Sequence, residues 1–451
     1  MGFISFIQRF LGLVEDEAQP MVALKAITPN TRPAPEANPA SPPTVSVSVS
    51  LDAMLLREEI LDKHGRLAGY RFSFKVPHDG RRVSADAYLE ALRAARVQAF
   101  AERRLALIVV SLDDWLAGDF AVLNATHTVF QINLPNDQPL HPDWLAGLQV
   151  VRDSGAGVAL SCASGLTALR PAMAIATHGL VDFTDGTVEQ VEKQITTLRR
   201  DCPALTLIIE NVSLWPEQRL CMSLGGAYAM GYFLATVDKQ NNKEKLTDSR
   251  LVLMDMLNQV RNDADAQVLA DLAKRDPGIA VHILSMANAS AMGMTTPVTA
   301  MDQAITALGR EALYRWLAVS IFRTGNDHGR DAALLEVALS RARFLELAAL
   351  DSGTKQQADE LFLVGLLSFV DTLLGMPIQD IVAAISLPPV VLDVLLHSQG
   401  PYVPYLLLAL SVEKCNMARA SQLASQLGID PTALSHYRDE ALLWAEVTTN
   451  A

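Results

Sequence analysis

The chain has 451 residues, half of them hydrophobic and 19% charged, so it can bury large cores, and this length points to two or three domains rather than one small module. Lys and Arg number 37 against 50 Asp and Glu, a formal charge of −13, which opposes a large phosphate-binding surface and argues against nucleic acid as a partner. Cys162, Cys202, Cys221 and Cys415 show neither zinc-site spacing nor the density of a disulfide scaffold, so reduced thiols in a cytoplasmic protein are expected.

Phe3, Phe6, Ile7, Phe10, Leu11 and Val14 fall on one helical face, so residues 2–14 read as a short amphipathic helix. One arginine, Arg9, followed by Glu15, Asp16 and Glu17 is weak chemistry for an anionic membrane, and docking on protein, or disorder, is expected ahead of membrane contact. The N-terminus lacks the basic region and cleavage site of a signal peptide, and no apolar run is long enough to span a bilayer. Pro20, Pro29, Pro33, Pro35, Pro39, Pro42 and Pro43 give residues 15–50 a linker composition, so the folded part is expected from about residue 51.

From 51 to 240 short apolar strands alternate with amphipathic helices. The strands are GRLAGYRFSFKV (65–76), RLALIVVSL (104–112), HTVFQINL (127–134), GVALSC (157–162), GLVDF (179–183) and LTLIIENV (205–212). Between them lie helical runs at 84–104, 188–201 and 216–229. The pattern predicts a parallel sheet buried on both faces, either closed or open, and these six strands are fewer than an eightfold barrel needs. The arginines at 81, 82, 93, 96, 103 and 104 make this start locally basic, which the helical pattern over 84–104 assigns to a solvated face. Gly155, Gly157, Gly225 and Gly226 are turn glycines, since no Lys-Ser/Thr follows them as in a phosphate loop.

After QNNKEK (240–245) helix follows helix, with Thr299-Ala300-Met301-Asp302 resembling a capping box, so residues 246–447 read as an all-α domain. This half holds most of the negative charge, 14 basic against 23 acidic residues from Leu246 on. Residues 418–438 mimic a DNA-binding helix-turn-helix, but the would-be reading helix offers only His436 and Arg438 as cations, which argues against DNA contact. Met286, Met292, Met294 and Met301 read as core filling.

HGRLAGYRFSFKV, TVFQINLP, LIIENV and MSLGGAYAMGYFLA resemble strand motifs of the EAL domain, the TIM-like barrel that hydrolyses cyclic di-GMP. HILSMANASAMGMTTPVTAMDQAITALGREALYRW resembles the core of the HDOD domain, a helical relative of HD phosphohydrolases, and LFLVGLLSFVDTLLGMPIQDIVAAISLP with HYRDEALLWA resembles the tail of proteins joining the two. The resemblance implies an α/β EAL-like barrel (51–240) followed by an all-α HDOD domain (246–447), with the amphipathic segment and linker (1–50) outside it.

An EAL site holds two divalent cations on carboxylate and amide oxygens at the strand ends, which activate water for phosphodiester cleavage. By the resemblance, the first-strand Glu is Arg71 here, the adjacent Asp pair is Ser161-Cys162, the next strand's Lys is Asp182 and the closing Gln is Met230. Asn133 and Glu210 alone match ligand positions. In the second half Ser368-Phe369 stands where His-Asp would be, and His78-Asp79 lies in the other domain. His282, His328, His397 and His436 show no metal spacing. Asn288, Leu308 and Gly309 match the HDOD core, with a helix-end hydrogen bond, core packing and an interhelical turn as expected roles. The expectation is a catalytically inactive regulator, with no cofactor, acting through an unidentified protein partner in cyclic di-GMP-linked control of motility, attachment or virulence. The alternative is a non-hydrolysing cyclic di-GMP sensor.

Overall fold

The computed structural model describes residues 55–74, 84–133, 142–162, 166–184, 186–238, 247–290, 298–324 and 328–450. The expectations for residues 1–50, for His78-Asp79 and for the seam at 240–245 lie outside them. Among the described residues no helix is long and apolar enough to cross a membrane.

The first half is a closed barrel whose strands follow chain order. It runs β1 (Leu55–Asp62), β2 (Leu67–Phe74), α1 (Ala85–Ala94), α2 (Val97–Ala101), β3 (Leu105–Val110), α3 (Leu112–Ala117), β4 (Thr128–Ile132) and α4 (Pro142–Asp153). It continues through β5 (Gly157–Ser161), α5 (Leu166–Ile175), β6 (His178–Asp182), α6 (Val188–Asp201), β7 (Thr206–Glu210), α7 (Trp215–Ser223) and β8 (Tyr228–Met230). β1 pairs antiparallel with β2 and with β8, and every other pair is parallel. The sequence count of six strands is therefore corrected to eight. β1 escapes notice because Arg57, Glu58 and Glu59 interrupt its apolar pattern, and β8 because two of its three residues hide at the end of an apparent helix at 216–229. The run 84–104 is two helices, broken where Arg96 takes a positive φ of 53°.

Residues alternate across each strand as a pleat requires. Ile60, Leu107, Val129, Ala159, Leu180, Ile208 and Met230 form a separate apolar cluster, the layer that fills the barrel interior. Their neighbours Ile108, Phe130, Leu160, Val181 and Ile209 point outward under the helices. The same parity brings Gln131, Ser161, Asp182 and Glu210, one step further along, to the inside at the C-terminal mouth.

The second half contains α8 (Asp248–Arg261), α9 (Ala266–Ala273), α10 (Pro277–Ser290), α11 (Met301–Leu308), α12 (Arg310–Arg323), α13 (His328–Ser352) and α14 (Lys355–Leu367). After these come α15 (Val370–Leu374), α16 (Ile378–Ala383), α17 (Pro389–Leu392), α18 (Val403–Glu413), α19 (Met417–Leu427) and α20 (Leu434–Asn450). The observed architecture is thus the one expected, a TIM-like barrel followed by helices. The capping box at 299–302 is corrected: Ala300 is the N-cap of α11 and makes no side-chain cap bond, because the helix begins one residue later than Thr299 requires. Gly365 is needed where α14 meets α13, since a Cβ there would lie 2.5 Å from Ala342 Cα.

The central helix α13 joins the halves. Glu336, 3% exposed, accepts from Arg104 Nη1 at 2.9 and 3.0 Å and from the Tyr70 hydroxyl at 3.0 Å. Further contacts are Arg103 to Glu446 at 2.8 Å and Arg438 Nη1 to the Leu55 carbonyl at 2.7 Å. Burial pushes the Glu336 carboxyl up, while Arg104 and Tyr70 pull it back, so the junction is a fully hydrogen-bonded buried charge pair.

Candidate functional site

At the C-terminal mouth of the barrel, β2 carries Arg71 inward opposite Glu58 of β1, its register partner. Arg71 Nε donates to Glu58 Oε2 at 2.6 Å, and its Nη1 makes a short ion pair with Glu210 at the end of β7. Asp182, paired in register with Glu210, accepts from Asn211 Nδ2 at 2.9 Å and from the Thr184 amide at 2.8 Å. Burial pushes Glu210 above the usual carboxylate range, and Arg71 only partly reverses this. Burial acts upward on Asp182 too, but the bonds from Thr184 and Asn211 outweigh it and hold that carboxyl low.

Arg71 and Glu210, expected at one site, are in contact. Asn133 lies exposed just past β4, and below it the Gln131 side-chain oxygen is buried without a hydrogen-bond partner among the described residues. Ser161 and Cys162 diverge. Ser161 follows the inward parity of Ala159, whereas Cys162 is fully buried in the outer core, where burial raises its thiol to about 12. Met230 fills the apolar interior layer, and Gly231 after it has φ 141°, with a Cβ there falling 2.3 Å from the Val212 carbonyl oxygen. Glu58 was missed by sequence reasoning, although its two-residue offset from Ile60 on one strand face was the available signal.

A pair of divalent cations requires several anionic or amide oxygens converging on open positions. Here a fixed guanidinium already occupies two carboxylates, and the residues do not fit a metal pair. Among the described residues no group of three or more His, Cys, Asp or Glu is placed to hold a metal ion.

The second half repeats the device. Arg341 of α13, with 6% of its side chain exposed, donates through Nε and Nη2 to Glu413 at 2.7 Å each and through Nη1 to Ser368 at 2.8 Å. Its guanidinium lies 4.2 Å from the Phe369 ring centroid. Ser368 donates onward to the Gly365 carbonyl at 2.6 Å. Beside them Asp371, 2% exposed, accepts from the Thr372 amide at 2.6 Å, while its Oδ2 has no partner among the described residues. Burial raises this carboxyl to about 6.

A model of the HDOD domain family matches residues 246–376, from the start of α8 through α15. Residues 246–376 are an HDOD domain. Over 250 residues, 55% of this chain and 60% of its relative, the protein is 25% identical to the uncharacterized protein YuxH of Bacillus subtilis. Over 240 residues, 53% of this chain and 55% of the other, it is 22% identical to the cyclic di-GMP phosphodiesterase CdgJ of Vibrio cholerae. The matches thus span little more than half the length of either relative. Among solved structures, the Bacillus subtilis YKUI protein, with an EAL domain in complex with cyclic di-GMP and calcium, shares 12% identity at a TM-score of 0.33 over 56% of this chain and 71% of that one.

Within the HDOD domain, Asn288 near the end of α10 donates to the Leu284 and Val298 carbonyls at 2.8 and 3.0 Å and accepts from the Val298 amide at 2.7 Å, tying the end of α10 to Val298. Leu308 packs half-buried at the end of α11, and Gly309, with φ 79°, links α11 to α12. His282 lies beside Trp316, and His436 is exposed; the side chain of His328 lies outside the described residues. His397 ends a π-helical turn. In the tail, α19 and α20 do flank a Gly428 turn, but Arg438 is committed to the Leu55 carbonyl and Asp439 at the junction with the barrel.

Proposed function

We propose that this protein is a catalytically inactive signalling adaptor of cyclic di-GMP-linked control, acting through protein contacts. The observation that carries the reading is the Arg71 bridge between Glu58 and Glu210. Metal-assisted hydrolysis needs Glu210 free to ligate, and it also needs positive charge that can follow the developing charge on phosphate. Arg71 consumes the first and cannot supply the second. Its one positive charge is set against Glu58, Glu210 and Asp182, so with all four ionised this cluster of described residues is net negative and opposes a cyclic dinucleotide that brings two phosphates of its own. The same balance ranks the adaptor above the sensor.

The test is incubation of the purified chain with cyclic di-GMP and Mg²⁺ or Mn²⁺. No linear dinucleotide is expected, and robust turnover abolished by Glu210→Ala overturns the reading. Calorimetric titration separates the two ligand classes: saturable binding of cyclic di-GMP at low micromolar concentration favours the sensor, and its absence favours the adaptor.

A further inference from the structure

The opposite, N-terminal end of the barrel holds a cavity of ≈ 350 Å³ with a different electrostatic character. Arg103 and Arg104 precede β3, His127 precedes β4, Arg152 lies in the last turn of α4, His178 opens β6 and Tyr228 opens β8, and all six line it. Among the described residues no carboxylate lines the cavity. In a chain of formal charge −13, three arginines line one hollow; Arg103 and Arg104 each pair with a carboxylate of the helical half, so the local field that concentrates anions comes chiefly from Arg152.

Arg152 donates to the Ala156 carbonyl at 3.1 Å, its sole acceptor among the described residues, which uses one of five guanidinium protons. Arg103 is 56% exposed. Burial first, and the Arg152 charge after it, lower His178 to about 4, so at neutral pH the ring is an uncharged hydrogen-bonding group that already feels the arginine. The volume is at the small end of ligand pockets, and His127 and Tyr228 supply flat faces beside the cations. Arg103 and Arg104 are also the barrel's ion-pair partners for Glu446 and Glu336 of the helical half. An anion held by them changes the charge that these carboxylates see.

We propose that the N-terminal mouth of the barrel is a binding site for a small phosphomonoester of mononucleotide size, held by Arg103 and Arg152 beside the Arg104–Glu336 pair, and that occupancy is transmitted to the helical half through Glu336 and Glu446. Bidentate guanidinium–phosphate contacts supply the affinity and the ring faces the orientation. The assignment does not depend on the Arg71 mouth.

The test is calorimetry of the full chain with GMP, inorganic phosphate and uncharged guanosine. Saturable GMP binding is expected, with phosphate weaker and guanosine silent. Arg152→Gln and Arg103→Gln, both at exposed positions, should each weaken GMP by about tenfold or more, while Arg200→Gln on the barrel's outer surface changes nothing. Hydrogen exchange over residues 434–450 should shift with GMP. Absence of saturable binding at millimolar ligand, or binding unchanged in both arginine variants, overturns the site; binding without any exchange change in 434–450 overturns the transmission.

Discussion

Arg71 and Arg341 do comparable things in unlike surroundings, one at a barrel mouth and the other inside a helical domain. Arg71 shares itself between Glu58 and Glu210 with a third carboxylate, Asp182, close enough to be felt, and 19% of its side chain meets solvent. Arg341 has one carboxylate, Glu413, together with a hydroxyl and an aromatic ring, and only 6% of its side chain is exposed. The mouth is therefore an over-negative cluster whose energy depends on protonation, whereas the helical site is charge-balanced and depends on packing. Similar cations serve electrostatics in one half and architecture in the other.

The sharpest way to break this contrast is Arg341→Ala. It removes a bidentate pair, a bond to buried Ser368 and a cation–ring contact, and should cost about 3 kcal/mol in urea unfolding, with little dependence on pH near neutrality because Glu413, 35% exposed, can hydrate. A loss below about 1 kcal/mol, the range of exposed ion pairs, would place Arg341 with surface charges instead. Next in size is Asp371→Asn, with the opposite sign. Asp371 titrates at about 6 in the fold, above its ordinary value, so the protonated form favours the folded state. That contribution is present below about pH 4 and lost as pH rises through 6. The Asn variant should gain about 2 kcal/mol at pH 7, and the gain should vanish near pH 4. Equal effects at both pH values would refute a buried, uncompensated charge.

Much of this arrangement was legible in the sequence, for identifiable reasons. Barrel strands with continuous apolar runs, such as Leu105–Val110, announce themselves, as do helices with caps such as Thr187 of α6. β1 did not, because its inward Glu58 and outward Arg57 have partners on other elements, Arg71 on the paired strand β2 for one and Asp439 in the far helix for the other. Local pattern carries no record of a partner 382 residues away. Arg71 was visible at its position, but the bridge it builds was not, since that depends on strand register. Cys162 shows the converse: by the resemblance it stands with Ser161 where an adjacent Asp pair would be, yet a one-residue step along a strand sends it to the other face.

The smallest and most informative effect is expected from Arg71→Ala. Arg71 holds apart three carboxylates that would otherwise repel across a partly wetted mouth, so its removal should cost only about 1 kcal/mol at pH 7. The cost should not be constant. Glu210 already titrates above its ordinary value because burial outweighs the help from Arg71, and without the guanidinium it must rise further. A carboxyl raised in the fold stabilises when protonated and loses that contribution as pH increases through its folded value. The variant should therefore approach the parent in acid and fall behind toward neutrality, while added salt narrows the gap by screening the repulsion. Urea titrations at two pH values and two salt concentrations check this. A deficit independent of both would assign Arg71 the packing role reserved above for Arg341, and the two sites would then differ in exposure alone.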